Sequence, residues 1–212
     1  MARRSAIVYL VRHADAGDKA AWPGVDLRRP LSPQGEREAA GLVLRLDDLP
    51  IDRILSSPAL RCEQTVRSLA ARRRLPIEHS SLLQIGADAA ELVACIDVAD
   101  RTVLCTHGEV MADLLSTLVA DGAVVTEPLV WPKGATWILH RTAGGPYRMR
   151  FLPALAWPVT WGLHDRDGRG PSPLSSRSSP ERRGRWQRPT GGRAQNSDEQ
   201  RSGGYARYAA GR

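Results

Sequence analysis

The sequence predicts an α/β protein: a three-layer α/β/α sandwich with a mostly parallel sheet, followed by a disordered C-terminal tail. Between residues 6 and 153, short runs rich in β-branched residues alternate with segments of helical periodicity, which is typical of α/β domains. Serine followed by proline, a favoured helix start, occurs at Ser32-Pro33 and again at Ser57-Pro58. After Pro153 the alternation ends.

The predicted strands alternate with the predicted helices along the chain. Residues 6–12 (Ala-Ile-Val-Tyr-Leu-Val-Arg) form an apolar run that is typical of a strand buried on both faces. Gly144-Gly145 is a hairpin turn signal between the last two strands. Further short runs predict strands at residues 52–55, 76–78, 101–106, 135–141 and 146–152. Helical spacing of apolar residues predicts helices at residues 33–46, 58–73, 89–97 and 110–119.

The basic character of the chain belongs to its last part. The formal net charge is +7, of which residues 155–212 contribute +6, with 11 Arg, no Lys and 5 acidic residues. The segment from Gly162 onward is rich in Gly, Ser, Pro and Arg and has almost no aliphatic residues. Burial therefore cannot offset the entropy of ordering it. We expect a folded domain at residues 1–154 and a disordered tail at residues 155–212.

Composition disfavours several classes of protein. No apolar run reaches the roughly 18 residues that span a bilayer, and residues 6–11 are too short for a signal-peptide core. Three cysteines without close-set pairs indicate neither a disulfide framework nor a zinc knuckle. We therefore expect a cytoplasmic protein that makes no membrane contact. Nucleic acid is not expected as a partner, beyond weak contact through the Arg-rich tail.

Three strand–helix junctions carry residues that suit phosphate chemistry. Arg12 and His13 stand where the first predicted strand ends. His107 follows the strand at residues 101–106, directly before a helix, and Arg61 falls in the first turn of the helix after the second strand. Because the carboxyl ends of strands line the ligand crevice of open α/β sheets, a common pocket is geometrically natural.

The residue types in this set indicate phosphoryl transfer. An imidazole such as His13 is largely neutral near pH 7 and attacks phosphorus through one ring nitrogen. The guanidinium groups of Arg12 and Arg61 hold negative oxygens through paired hydrogen bonds. His107 donates a further hydrogen bond if it is protonated or in the right tautomer. The helix after Gly108 adds backbone donors and the positive end of its dipole. The set requires no metal ion and no cofactor.

Together these motifs resemble the histidine phosphatase superfamily, the clan of phosphoglycerate mutase-like and acid phosphatase-like proteins. The resemblance covers about residues 6–152. It is carried by residues 11–14 (Val-Arg-His-Ala), 29–35 (Arg-Pro-Leu-Ser-Pro-Gln-Gly), 56–65 (Ser-Ser-Pro-Ala-Leu-Arg-Cys-Glu-Gln-Thr) and 106–108 (Thr-His-Gly). The short form is most similar to SixA-type phosphohistidine phosphatases. It also resembles the phosphatase domain that some Nudix hydrolases carry at their C-terminus.

The resemblance implies a role for each residue of the predicted pocket. His13 is the nucleophile that becomes phosphohistidine, and Arg12, Arg61 and His107 form the phosphate pocket. The usual Arg-His-Gly of the family reads Arg-His-Ala here, a change of one small residue for another. The general acid that longer members carry has no clear match. Asp15, Asp88 and Glu109 are the candidates.

These observations predict a metal-independent phosphatase, a phosphoric monoester hydrolase of the histidine phosphatase type. A good leaving group reduces the need for a general acid, which favours phosphohistidine or a phosphoanhydride over an alkyl phosphate. The substrate is then a phosphorylated protein or a small phosphorylated molecule. Two alternatives stay open: a small-molecule phosphatase acting on nucleotides or phosphosugars, and a module that binds phosphorylated ligands without turnover.

Overall fold

The structure is a computed structural model that describes residues 5–155. The predicted disordered tail, apart from Leu155, lies outside the described residues, so both the tail and the domain boundary before it stay predictions. Within residues 5–155, none of the helices is long and apolar enough to cross a membrane.

Seven strands and four α-helices alternate through the described part of the chain. The strands are β1 (Ala6–Arg12), β2 (Arg53–Ser56), β3 (Ile77–His79), β4 (Thr102–Thr106), β5 (Val124–Val125), β6 (Thr136–Arg141) and β7 (Tyr147–Leu152). The helices are α1 (Pro33–Leu46), α2 (Leu60–Arg73), α3 (Ala89–Val98) and α4 (Gly108–Ala120). Two short 3₁₀ helices, Asp26–Arg28 and Ser81–Leu83, interrupt the connecting loops.

The strands form one mostly parallel sheet in the order β3-β2-β4-β1-β6-β7-β5. The pairs β3–β2, β2–β4, β4–β1 and β7–β5 are parallel, whereas β6 runs antiparallel to both β1 and β7. The antiparallel pair β6–β7 is the hairpin that Gly144-Gly145 predicts, and Gly144 has the positive φ (73°) that such a turn requires.

Two apolar cores lie on opposite faces of the sheet and make the fold three-layered. On one face, Leu42 and Leu46 of α1 and Val66 and Leu69 of α2 pack on Tyr9 of β1. On the other face, α3 and α4 pack on the remaining side chains of the same strands; this cluster includes Val8, Leu10, Leu92, Ile96, Leu104, Met111, Leu114 and Trp137. The prediction of an α/β/α sandwich with a mostly parallel sheet is confirmed.

Local signals explain where α1 begins but not where α2 begins. The Ser32 side chain accepts a hydrogen bond from the Gly35 N–H and caps α1, and Pro33 occupies the first helical position. The same Ser-Pro signal at Ser57 does not start α2, which begins at Leu60. Ser57 instead continues the line of β2, because its N–H donates to the carbonyl oxygen of Cys105 over 2.9 Å. The two-residue strand β5 was not predicted, since two valines carry no periodicity.

Candidate active site

The carboxyl ends of three adjacent parallel strands bring the predicted site residues together. In the order β2-β4-β1, each strand is followed by a polar residue: Ser57, His107 and His13. The His13 N–H donates to the Thr106 carbonyl oxygen (2.9 Å), which ties the two histidine-bearing strand ends to each other. The centroids of the two imidazole rings are 5.4 Å apart. The predicted convergence of the two strand ends is therefore present in the structure.

His13 is buried, and its two ring nitrogens have different partners. Its Nδ1 lies 2.8 Å from the carbonyl oxygen of Ala14, which can only accept, so the hydrogen bond assigns the proton to Nδ1. The lone pair is then on Nε2, which lies 3.3 Å from the Arg61 Nε. Burial, above all, lowers the pKa of His13 to about 3, and the positive charge of Arg61 acts in the same direction. Near pH 7 the ring is therefore neutral.

Arg61, in the first turn of α2, contacts both histidines. Its side chain is 3 % exposed. Its Nε donates to Nε2 of His13 (3.3 Å), and its Nη2 donates to Nδ1 of His107 (3.2 Å). Asp26 accepts two further bonds, with its carbonyl oxygen 2.7 Å from Nη1 and its Oδ2 3.1 Å from Nη2. One guanidinium group thus lies between the two imidazoles and a carboxylate.

His107 is held at the start of α4 as the residue that precedes the helix. Because Arg61 only donates, Nδ1 of His107 accepts, and Nε2 carries the proton. That proton is donated to the Ser57 hydroxyl oxygen over 2.9 Å. Ser57 is fully buried, so the bond is shielded from water. Both ring nitrogens are thus engaged, and His107 donates to a phosphate only after one partner gives way.

Arg12 lies against the N-terminus of α4 and retains an unused donor. Its Nη1 donates to the carbonyl oxygen of Trp131 (2.5 Å), whereas its buried Nε has no hydrogen-bond partner among residues 5–155. A Cβ atom at Gly108 would lie 2.8 Å from the Arg12 Cζ, so the guanidinium packs where only glycine leaves room. Burial lowers the pKa of Arg12, although Glu109 opposes this. An anion at this helix end would satisfy the free donor.

A cavity of about 380 Å³ opens over these groups. Basic side chains outnumber acidic ones in its lining, which suits an anionic ligand. The lining residues are Arg12, His13, Gly17, Asp18, Lys19, Asp26, Arg29, Arg61, Ile85, His107, Glu109 and Lys133. The four predicted site residues are all among them.

The three general-acid candidates occupy different environments. Glu109 lines the cavity at the start of α4. Asp15 does not line it: burial raises the pKa of its carboxyl, but hydrogen bonds from Lys133, Ser32 and the Gly17 N–H outweigh burial and lower it to about 2. Asp88 caps α3 by accepting from the N–H groups of residues 90 and 91. Of these three carboxylates, Glu109 is the one that lies at the cavity.

The loop cations take up separate roles. In the sequence, Lys19, Arg28 and Arg29 are candidates for recognising an acidic substrate, with solvated loop charges as the alternative. Lys19 and Arg29 line the cavity. Arg29 is 7 % exposed and donates to the Ala16 carbonyl oxygen (2.7 Å) and the Asp26 Oδ1 (2.8 Å), so it is a buried support of the loop. Arg28 is exposed, as the solvated interpretation expects.

Three residues that support the pocket side chains carry little signal in the sequence. Asp26 contacts Arg61 and Arg29, and its only sequence signal is the spacing of three residues from Arg29. Thr65 accepts from the Ala14 N–H (2.9 Å) and donates to the Arg61 carbonyl oxygen (2.6 Å). These bonds link α2 to residues 13–32, the nucleophile loop, which begins with the predicted nucleophile His13. Lys133 forms an ion pair with Asp15 over 2.6 Å, a contact between residues far apart in the sequence.

Part of the chain matches a known protein family. Residues 8–84 match the family model of the histidine phosphatase superfamily, branch 1. An 8-oxo-(d)GTP phosphatase of Mycolicibacterium smegmatis is 31 % identical over 144 residues, which are 65 % of this chain and 45 % of that protein. The chain thus spans less than half the length of this curated relative.

Solved structures with the same fold include SixA proteins. SixA from Agrobacterium tumefaciens is 26 % identical with a TM-score of 0.55, and the match covers 70 % of this chain and 97 % of that one. A protein histidine phosphatase SixA complexed with tungstate is 23 % identical with a TM-score of 0.54, covering 71 % and 96 % of the two chains. The second likeness concerns the fold alone.

Proposed function

Since the chain belongs to the histidine phosphatase superfamily, we propose that it is a metal-independent phosphatase in which His13 takes the phosphoryl group. One observation carries this proposal. The proton of His13 is held on Nδ1 by the Ala14 carbonyl oxygen, while the buried, neutral ring directs Nε2 toward Arg61 and the cavity. A neutral imidazole with a fixed tautomer is the form that attacks phosphorus.

The proposed reaction has two steps. In the first, Arg61 turns its Nε–H from Nε2 of His13 to the phosphoryl oxygens, and Nε2 forms a bond to phosphorus as the bond between phosphorus and the leaving group breaks. In the second, water attacks phosphohistidine, the P–N bond breaks and inorganic phosphate leaves. Negative charge builds on the equatorial oxygens in both steps. Arg61, the unused Nε–H of Arg12 and the N-terminus of α4 stabilise it, and His107 joins them only when its Nδ1 is released by Arg61 and carries a proton.

Glu109 is the proposed source of the proton that the leaving group takes up. It is the only one of the three sequence candidates that lines the cavity in the described part of the chain. A phosphohistidine or phosphoanhydride substrate depends less on this proton, because its leaving group is already good. Loss of Glu109 should therefore slow p-nitrophenyl phosphate less than an alkyl phosphate ester.

The substrate class has two candidates. Likeness to SixA of Agrobacterium tumefaciens, a phosphohistidine phosphatase by name, supports a phosphohistidine substrate, which a phosphorylated protein supplies. A cavity of about 380 Å³ is within the size range of small-molecule pockets, and the M. smegmatis relative is an 8-oxo-(d)GTP phosphatase by name, so nucleotides are the second candidate. A module that binds phosphorylated ligands without turnover is the remaining alternative.

The test is hydrolysis by the purified full-length chain of a small panel in the presence of EDTA. The panel holds a phosphohistidine peptide, p-nitrophenyl phosphate, and nucleoside di- and triphosphates. We expect turnover that disappears in His13→Ala and persists in His140→Ala, a matched change at an exposed histidine of β6. Acid-labile phosphate on His13, trapped by rapid quench, would identify the covalent intermediate.

The preferred compound would choose between a protein and a small-molecule substrate. Hydrolysis by His13→Ala at the wild-type rate would contradict the proposed mechanism. No turnover of any compound, with phosphate still bound, would favour the non-catalytic binding module.

A further inference from the structure

Four of the five N–H groups of Arg61 already donate hydrogen bonds within the pocket. His13 and His107 take two of the bonds, and Asp26 supplies the acceptors for the others through its carbonyl oxygen and its Oδ2. A phosphate that takes two hydrogen bonds from Arg61 therefore has to displace at least one of these partners. The carboxylate of Asp26 is the one partner that carries the same charge as phosphate.

A hydrogen bond from Arg29 holds the Asp26 carboxylate in this position. Its Oδ1 accepts from the Arg29 Nε (2.8 Å) while its Oδ2 accepts from Arg61. Arg29 is itself buried and donates to the carbonyl oxygen of Ala16 in the nucleophile loop. The carboxylate thus bridges two arginines, one anchored in the loop and the other between the histidines.

The bridge has two consequences for the proposed reaction, on which this inference rests. It fixes the orientation of the Arg61 guanidinium before substrate arrives, which lowers the reorganisation needed at the moment of reaction. It also places a negative charge next to the phosphate position, where it opposes a bound dianion. Asp26 lines the cavity and its side chain is 32 % exposed, so the repulsion is screened in part but not removed.

We propose that Asp26 is a positioning residue that orients Arg61 and competes with phosphate for it, so that the phosphate product is released readily. Removal of its charge should therefore have two effects at once. Phosphate binds more tightly because a like charge is gone, and turnover slows because Arg61 is held less firmly and the product leaves later. A residue that merely supported the loop would weaken phosphate binding instead.

The first experiment measures inorganic phosphate binding to full-length Asp26→Asn by isothermal titration calorimetry, alongside steady-state turnover of p-nitrophenyl phosphate. We expect the Kd for phosphate and the KM to fall by about 5- to 10-fold, on the scale of a screened charge pair. We expect kcat to fall several-fold. Asp47→Asn is the matched control, because Asp47 also pairs with an arginine, Arg72, on an exposed face away from the cavity.

Phosphate binding by Asp26→Asn that is equal to or weaker than wild type would overturn the proposal. If Asp26→Asn fails to fold, Asp26→Ser removes the same charge with a smaller side chain, and the same comparison applies. A wild-type protein that binds phosphate without turnover would refute the proposed function but not this inference, because the calorimetric arm needs no catalysis.

Discussion

The two histidines of the site leave parallel strands at the same edge of the sheet, yet they are held in different ways. His107 follows β4 directly and α4 begins at the next residue, so a strand end and a helix start fix it from both sides. His13 opens a long loop, residues 13–32, before α1 begins. The loop depends on side chains from elsewhere, including Thr65 and Lys133.

This difference indicates which substitutions should disturb the geometry of each histidine. A tight strand–helix junction is held by backbone hydrogen bonds that any sequence with the right turn makes. A long loop keeps one conformation only if contacts between distant residues outweigh its entropy. The loop that carries His13 should therefore lose its geometry through changes remote from His13, whereas the backbone at His107 should be disturbed mainly by changes at the junction.

The largest expected effect contrasts two glycines. A Cβ atom at Gly35 would lie 1.9 Å from the carbonyl oxygen of Asp15, which is backbone of the nucleophile loop. Gly35→Ala should therefore lower the free energy of unfolding by about 3 kcal/mol, since backbone must move. Gly108→Ala should cost less, about 1 kcal/mol, because the added Cβ meets the far end of the Arg12 side chain and not backbone. Urea unfolding followed by circular dichroism would measure both.

The same pair also separates stability from activity. We expect Gly108→Ala to lower kcat/KM by about 10-fold by displacing Arg12 from the phosphate position. Equal unfolding free energies for the two variants would break the contrast between loop and junction.

The next prediction concerns Arg61, which contacts both histidines. Arg61→Ala removes hydrogen bonds to His13 and His107 together, and a preorganised donor to the transferring phosphoryl group. We expect kcat/KM to fall by about 10²-fold or more. Arg67→Ala is the matched control on the exposed face of α2, where Arg67 pairs with Glu63, and should retain wild-type activity. A comparable loss in both variants would point to damage of the helix instead.

A third prediction uses the neutral state of His13. Burial lowers the folded-state pKa to about 3, whereas an unfolded histidine titrates near 6.5. Below pH 6.5 the unfolded state binds a proton that the folded state does not, so stability falls as the pH decreases toward 3. Between pH 7 and pH 5, His13 should contribute a loss of about 2 kcal/mol in the free energy of unfolding. Above pH 7 its contribution is constant.

The comparison of wild type with His13→Gln isolates this contribution. Urea unfolding at both pH values should show a pH dependence about 2 kcal/mol smaller in the variant. Identical pH dependence in the two proteins would mean that His13 titrates near its ordinary value when folded.

The smallest effect tests the remote support of the nucleophile loop. Thr65→Val keeps the shape of the side chain but leaves the buried Ala14 N–H without its acceptor. We expect a loss of about 1–2 kcal/mol in unfolding free energy and a several-fold fall in kcat, since the Ala14 carbonyl oxygen orients His13. Thr117→Val, a matched change on α4 where the hydroxyl bonds only its own helix, should leave kcat unchanged.

The fold was predictable because its signals are local. The bounds of α1 follow from Ser32, Pro33 and the apolar spacing up to Leu46, all within one segment. The start of α2 was not predictable in the same way. The Ser-Pro signal is present, but Ser57 forms hydrogen bonds with Cys105 and His107, two residues about 50 positions away in the sequence.

The candidate site was predictable as a set of residues but not as an arrangement. Arg12, His13, Arg61 and His107 were assigned from their types and from their places at strand and helix ends, and the structure brings all four to one cavity. The bonds between them were not foreseen. That both ring nitrogens of His107 are occupied, and that Asp26 holds Arg61, depends on angles and distances that spacing along the chain does not contain.

The sequence alone determined the layers of this protein, the edge of the sheet where the site lies and the chemical groups available there, because periodicity, caps and strand ends are properties of consecutive residues. Only the tertiary structure decided which ring nitrogen of His13 contacts Arg61, that hydrogen bonds and an ion pair lower the pKa of Asp15, and that Asp26 is the carboxylate beside Arg61. These depend on burial and on contacts between distant residues, which exist only once the chain has folded.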